Sequence, residues 1–307
     1  MKTIVVALLL NFAFPFVVES QAGTFEVLNH NSLVRQGGVL VVRISDDLKG
    51  EDLQLFAFDE LHPFNNNGLA FVGIGVDHKP DRYIVYLVET SAEKHLQHDF
   101  FYTHVEVLEQ GFGTPWYAGP AGVMSPAVQA QRKAENDIKD QAYGSANLEE
   151  DYTRGPFVMP LEEVEVTDGF GTPRLYGPRN RRTKTIKIER QVPHVGTDLR
   201  ARTPLPVLAV NSGKVMLARN FPLRGTEGNM LIIDHGSGIL SLYLHLSRFR
   251  VKIGETVERG QVIALTGRTP RGTPPHLHFM IKVHGVNVDP LEFIKTTNSI
   301  FPFGISE

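Results

Sequence analysis

Short β-prone runs, broken at roughly 8- to 12-residue spacing by turn residues, restrict what this chain can fold into more than any other feature. TFEVL, GGVLVVRI, LQLFAFD, LAFVGIGV, RYIVYLVET and FFYTHVEVLE follow one another between residues 24 and 109, with NHNS, DDLKGED, HPFNNNG and DHKPD among the breaks. Each run can bury one pleated face while Asn, Asp, Gly and Pro supply the turns, so six or seven such strands predict a sandwich. A second series, KTIKIE, PVLAV, GKVMLA, NMLIID, LSLYLH, VIALTG and HLHFMIKV, fills the C-terminal half and predicts a mostly antiparallel sheet. Helical signals are confined to SPAVQAQRKAENDIKDQAYG, where Ser125 is the N-cap, Pro126 the first helical residue and Gly144 the stop. They predict one helix of about 17 residues, docking through a small face of Ala127, Ala130, Ala134, Ile138 and Ala142. The fold class is therefore all-β dominated: an antiparallel-sheet C-terminal domain preceded by a small β-sandwich and a helical linker.

A chain of 307 residues allows about two domains. Residues 1–22 read as a secretory signal, with Lys2, the apolar TIVVALLLNFAFPFVV and a small-x-small site at Ser20-Gln21-Ala22. The apolar run holds Asn11 and Pro15 and falls short of the roughly 20 residues a membrane span needs. The expectation is an exported protein of the periplasm, extracellular space or cell wall, with no stable span after cleavage. The expected units are 23–110 for the sandwich, 111–154 for the linker, 155–295 for the C-terminal domain and 296–307 for a tail. A formal charge of −3 gives no global basicity for nucleic acid. Cysteine is absent, so any metal must be held by His, Asp or Glu. A short repeat, GFGTPWYAG at 111–119 and GFGTPRLYG at 169–177, has unmatched flanks and reads as a reused turn.

Three pieces carry chemistry: His194-x-x-x-Asp198, His245 in YLHLS, and His276-Leu277-His278. Zinc at a hydrolytic site takes three nitrogen or oxygen ligands and keeps one position open, which two histidines and a carboxylate satisfy. HLH follows a double proline in a β-prone run, so both imidazoles should share one strand face, roughly 6–7 Å apart. One can hold a metal while the other stays free for proton chemistry. HExxH is missing, which excludes the helical zincin arrangement. Tyr243, two residues before His245, either lines the same cleft or packs in the core. His235 and His284 sit in turn sequences and read as structural or exposed. His30, His62, His78, His95, His98 and His104 read as solvated or turn residues, and the HxxH at 95 and 98 has no partner carboxylate.

Taken in order, FG at 170–171, PHVGTDLRA, GNMLIIDHGSGILSLYLHLS, VKIGETVERGQVIALTG, PPHLHF and VDP resemble the lysostaphin-type, or LytM-like, zinc metallopeptidases that cut bacterial cell-wall peptides. The resemblance covers about residues 165–292. It implies one Zn²⁺ per chain on His194, Asp198 and His278, with His245 and His276 as catalytic histidines that do not bind metal. The implied activity is a zinc metalloendopeptidase that hydrolyses amide bonds in peptidoglycan stem peptides or crossbridges through zinc-activated water. Both a D-alanyl-diaminopimelate link and a glycine bridge fit. His276 is the expected base and His245 the expected oxyanion stabiliser, although the sequence does not separate the two. The alternative is a catalytically silent regulator that binds wall or activates an amidase; such proteins have lost zinc ligands, and here all five polar positions remain. The sandwich resembles the domain that precedes the peptidase in some exported relatives, where substrate binding, spacing or masking of the cleft are its options. RNRRTKTIKIER is either a solvated hairpin or an attractor of anionic wall polymer. Met280 stands where relatives often place an acid.

Overall fold

A computed structural model describes residues 24–90, 101–119, 124–180, 182–201, 204–223, 227–270 and 274–302. The leader at 1–22 and the pair His95 and His98 lie outside the described residues.

The run Val39-Leu40-Val41-Val42 shows how the two halves are joined. Strand Val39–Ile44 sits between Phe25–Val27 and Leu69–Gly73 in a three-stranded antiparallel sheet. Successive side chains point to opposite faces. Leu40, Val42 and Ile44 pack with Ala70, Val72, Leu55, Val85 and Val105, forming the core shared with a five-stranded sheet. Val39 and Val41, with Leu69 and Phe71, belong instead to the large C-terminal core beside Ile281, Val283 and Phe293. A strand buried on both faces needs a continuous apolar run rather than alternation, which VLVV supplies. The expected sandwich is present, and its smaller sheet is itself a layer between two cores. It meets the C-terminal half where Gly73 abuts Val283 and Val286, and where Asp289 N–H donates to the Gly37 carbonyl at 2.7 Å.

The C-terminal sheet is eight-stranded and antiparallel, ordered Val166–Asp168, Thr197–Arg200, His276–Val283, Ile239–Leu246, Gly228–Asp234, Gly213–Phe221 and Thr256–Val257, with Val286–Val288 also pairing 276–283. One face buries Leu231, Ile233, Tyr243, Leu277, Phe279 and Ile281. The other buries Met230, Ile232, Leu240, Leu242, Leu244 and Met280 beneath helix α1, Pro126–Gly144. Ser125 Oγ caps α1 by accepting from Val128 N–H.

Four expectations need correction. Helix α1 docks through Ile138, Ala142 and Tyr143, with Glu135 and Lys139 buried, while Ala127, Ala130 and Ala134 are exposed. The buried ion pair from Lys139 to Glu227 and the Lys139 ammonium over the Phe221 ring rotate the helix to that face. KTIKIE is no strand; only the Arg179–Ile186 bridge forms there, with Lys184 at φ +62°, and regular pairing starts at Arg190–Pro193. The segment from 296 is not all tail, because helix α2 runs Pro290–Ile300 and buries Phe293, Ile294 and Thr297. His62 is no turn residue: it is buried in strand Glu60–Pro63, its ring 6.1 Å from that of His284. No helix among the described residues is long and apolar enough to cross a membrane.

Candidate metal centre

Register places the first two groups. Thr197–Arg200 pairs with His276–Val283 so that Asp198 lies opposite His278 and Arg200 opposite His276. Directly opposed residues share a face, so Asp198, His276 and His278 occupy one side and Leu277 and Phe279 the core side. His194 arrives from the preceding loop, held by a Gly171 N–H bond to its carbonyl at 2.7 Å and its own N–H bond to the Thr172 carbonyl at 3.0 Å. Gly196 lets the chain cross the strand this tightly. A Cβ there would lie 2.6 Å from the Phe279 carbonyl oxygen and 2.8 Å from His278 Nε2.

His245 breaks the pleat. Leu244 lies opposite His278, so strict alternation would send residue 245 to the Tyr243 side. Its φ of +63° re-aims the ring, which stands 4.7 Å from the His276 ring and 5.9 Å from that of His278, centroid to centroid. Left-handed backbone at a residue with a Cβ costs about 1–2 kcal/mol. Two bonds hold it: His245 N–H to the Glu227 carbonyl at 3.0 Å and Nδ1–H to the Thr269 carbonyl at 2.8 Å. Tyr243 consequently faces away from the cleft. It is fully buried, its hydroxyl bonded to Val210 N–H and Ser241 Oγ at 3.0 Å each. His235 is likewise a core residue, bonded to Ser212 and Ser241. Met280 packs under α1 and contributes no oxygen to the site.

Three donor atoms converge. His194 Nε2 lies 3.0 Å from His278 Nδ1, His278 Nδ1 lies 2.7 Å from Asp198 Oδ1, and His194 Nε2 lies 3.3 Å from Asp198 Oδ1. Tetrahedral zinc with bonds near 2.0–2.1 Å separates its ligand atoms by roughly 3.3 Å, so one side of the triangle matches the ion and the other two, at 3.0 and 2.7 Å, are tighter than it would set them. Proton accounting agrees. His194 Nδ1 faces the Gly169 carbonyl at 3.0 Å, and since a carbonyl can only accept, this nitrogen carries the hydrogen and Nε2 is a lone pair. The other two corners, a carboxylate oxygen and His278 Nδ1, share at most one proton. A single cation satisfies all three. Burial works to raise the Asp198 carboxyl, but the His194 and His278 imidazoles beside it outweigh burial and hold the group well below the usual carboxylate range. His245 and His276 both turn Nδ1 to a carbonyl, Thr269 and Pro274 respectively, so each presents Nε2 as a lone pair. Burial, with the neighbouring His278 and His276, pushes His245 down to about 4. It is neutral at pH 7. His276 Nε2 lies 3.8 Å from Asp198 Oδ1.

Two residues of this centre escaped the sequence analysis. Asp168 Oδ2 lies 3.3 Å from His194 Nδ1, and Arg174 Nη2 bridges Asp168 Oδ2 at 2.6 Å and Asp198 Oδ2 at 3.2 Å. Arg174 thus leaves Asp198 Oδ1 to face the histidines. Its guanidinium stacks 5.4 Å from the Trp116 ring. That contact brings the GFGTP repeat together: Trp116–Gly119 and Pro173–Tyr176 form parallel strands with Trp116 opposite Arg174, the same position of each copy. Arg174→Met is expected to weaken zinc binding by about 10- to 100-fold, because support of ligands by outer residues is worth that much. Competition with a chromogenic chelator measures it. Arg174→Lys, a point charge without the fork, should fall between the two.

Residues 192–290 match the model described as Peptidase family M23. The chain is 37% identical over 146 residues to peptidoglycan DD-endopeptidase ShyB of Vibrio cholerae, covering 48% of this chain and 31% of that protein. It is 35% identical over 108 residues to lysostaphin of Staphylococcus simulans, covering 34% and 22%. The chain thus spans about a third or less of the length of the curated relatives it matches. A solved structure of an M23 peptidase candidate from Pseudomonas aeruginosa shares the fold with a TM-score of 0.55 at 22% identity, covering 87% of this chain and 96% of that one.

Proposed function

With residues 192–290 carrying a peptidase family M23 domain, we propose that the chain is an exported zinc metalloendopeptidase that hydrolyses amide bonds in peptidoglycan stem peptides or crossbridges. The observation that carries this reading is the convergence of His194 Nε2, Asp198 Oδ1 and His278 Nδ1 beside two further imidazoles whose Nε2 atoms are lone pairs. His194, Asp198 and His278 hold the metal. When bound there, zinc supplies a water of lowered pKa and polarises the scissile carbonyl.

The remaining parts fall to His276 and His245. His276 Nε2, close to Asp198 Oδ1, takes the proton of the attacking water. His245 stands one ring away and faces the charge that develops on the carbonyl oxygen. Because its Nδ1–H is committed to Thr269, Nε2 can donate only from the imidazolium form, which the growing negative charge favours. The N-terminal sheets contact the C-terminal half at Val283, Val286 and Asp289, at the end of the 276–283 strand remote from His276, and also where Gly37 abuts Phe170, next to the Gly169 carbonyl that holds His194.

Purified wall incubated with residues 23–307 and zinc, followed by mass spectrometry of the soluble fragments, tests the reading. New peptide amino termini that vanish with a chelator are the expected result and name the bond. Unchanged wall, together with stimulation of an added amidase, would replace the proposal with a silent regulator.

A further inference from the structure

Between residues 179 and 190 the sequence holds Arg179, Arg181, Arg182, Lys184, Lys187 and Arg190 against one acid, Glu189, in a chain whose net charge is −3. Apart from Arg181, which lies outside the described residues, all of these cations are exposed, and none forms an ion pair among the described residues. Two of them are nonetheless ordered. The Arg190 guanidinium stacks 4.5 Å from the Tyr176 ring, and that of Arg179 stacks 5.7 Å from the Tyr117 ring. Both rings sit on the small sheet in which the linker strand 116–119 pairs with 173–176, and 173–176 with 190–193.

Stacking occupies the face of a guanidinium and leaves its N–H edge open, the edge that matches a planar carboxylate with two parallel hydrogen bonds. Arg174, stacked on Trp116, already turns its edge to carboxylates, with Nε and Nη2 on Asp168 Oδ2 and Nη2 also on Asp198 Oδ2. Arg190 has similar support and no carboxylate partner among the described residues, and it lies on the Arg174 face, because it pairs with Tyr176; Tyr117, opposite Leu175, carries Arg179 on the other face. Its place sets the reach: Arg190–Pro193 runs directly into His194, so Arg190 lies about 13 Å from His194 along the strand, the span of about four residues of extended peptide.

Resting on the proposed function, we infer that Arg190 forms a subsite for a carboxylate of an acidic peptide, engaged about four residues from the bond being cut. Selectivity for free carboxylates over their amides follows, because an amide offers one acceptor oxygen and no charge.

The test uses the mature chain with zinc and two synthetic crosslinked peptides that differ only in free or amidated carboxyls. Wild type is expected to show a KM about tenfold lower for the acid, with kcat within about twofold, and a difference that shrinks with added salt. Arg190→Gln should raise the KM of the acid to that of the amide and leave the amide unchanged. Equal KM values for both peptides in wild type, or equal losses on both in the variant, would overturn the subsite. So would competition by polyphosphate that disappears in the variant while discrimination of acid from amide persists; the patch would then serve a phosphate polymer. Fluorescence anisotropy of both peptides on His278→Ala separates the two proposals. If wild type cuts neither peptide, the proposed function fails, and tighter binding of the acid, lost with Arg190→Gln, still decides the subsite.

Discussion

His278→Ala is expected to remove zinc and activity together: from one metal per chain to none detectable after dialysis, with wall hydrolysis reduced at least about 10³-fold, or about 4 kcal/mol of barrier. His278 Nδ1 is the corner nearest both other donors, 3.0 Å from His194 and 2.7 Å from Asp198. Its loss leaves two ligands and breaks one of the hydrogen bonds that keep Asp198 ionised. The fold should survive, because the 276–283 strand is anchored by Leu277, Phe279 and Ile281 on the opposite face. Metal analysis, circular dichroism and product analysis on one preparation give the answer. Retention of zinc with unchanged products would mean that the metal is held elsewhere.

Some of this centre is legible in sequence and some is not, for physical reasons. His276 and His278 share a face because the pleat has a period of two, which needs no knowledge of neighbours. The pairing of Asp198 with His278 is a register between segments 80 residues apart, which nothing local encodes; the family resemblance supplied it. His245 defeats period-two reasoning, since its φ of +63° depends on Glu227 and Thr269, contacts made only in the folded chain. Tyr243 was a candidate for the cleft for the same reason and lies on the other face. The GFGTP repeat was visible, but not that its copies pair in parallel and so bring Trp116 onto Arg174. Helix α2 could have been found. Asp289-Pro290 carries the same N-cap and first-turn proline signal as Ser125-Pro126, and Asp289 does accept from Leu291 and Glu292 N–H.

Replacing His245 should separate chemistry from metal binding and from stability. His245→Gly is expected to lower kcat by about 10²–10³-fold, the usual worth of one donor to a developing oxyanion, while zinc stays at one per chain. The ring contributes no atom to the ligand triangle and is held by Thr269 through the nitrogen that faces away from the cleft. Stability should barely move. The substitution gives up the Nδ1–H bond to Thr269, about 1 kcal/mol, and relieves left-handed strain of about 1–2 kcal/mol. His245→Ala loses the same hydrogen bond but keeps the strain, so it should unfold at lower denaturant than His245→Gly by about 1 kcal/mol. The order glycine above alanine in stability, with both equally inactive and both loaded with zinc, is the signature of a backbone strained to serve a side chain. Equal stability of the two variants would mean that the left-handed conformation is not kept in solution. The route by which His245 reaches the cleft would then have to be found again.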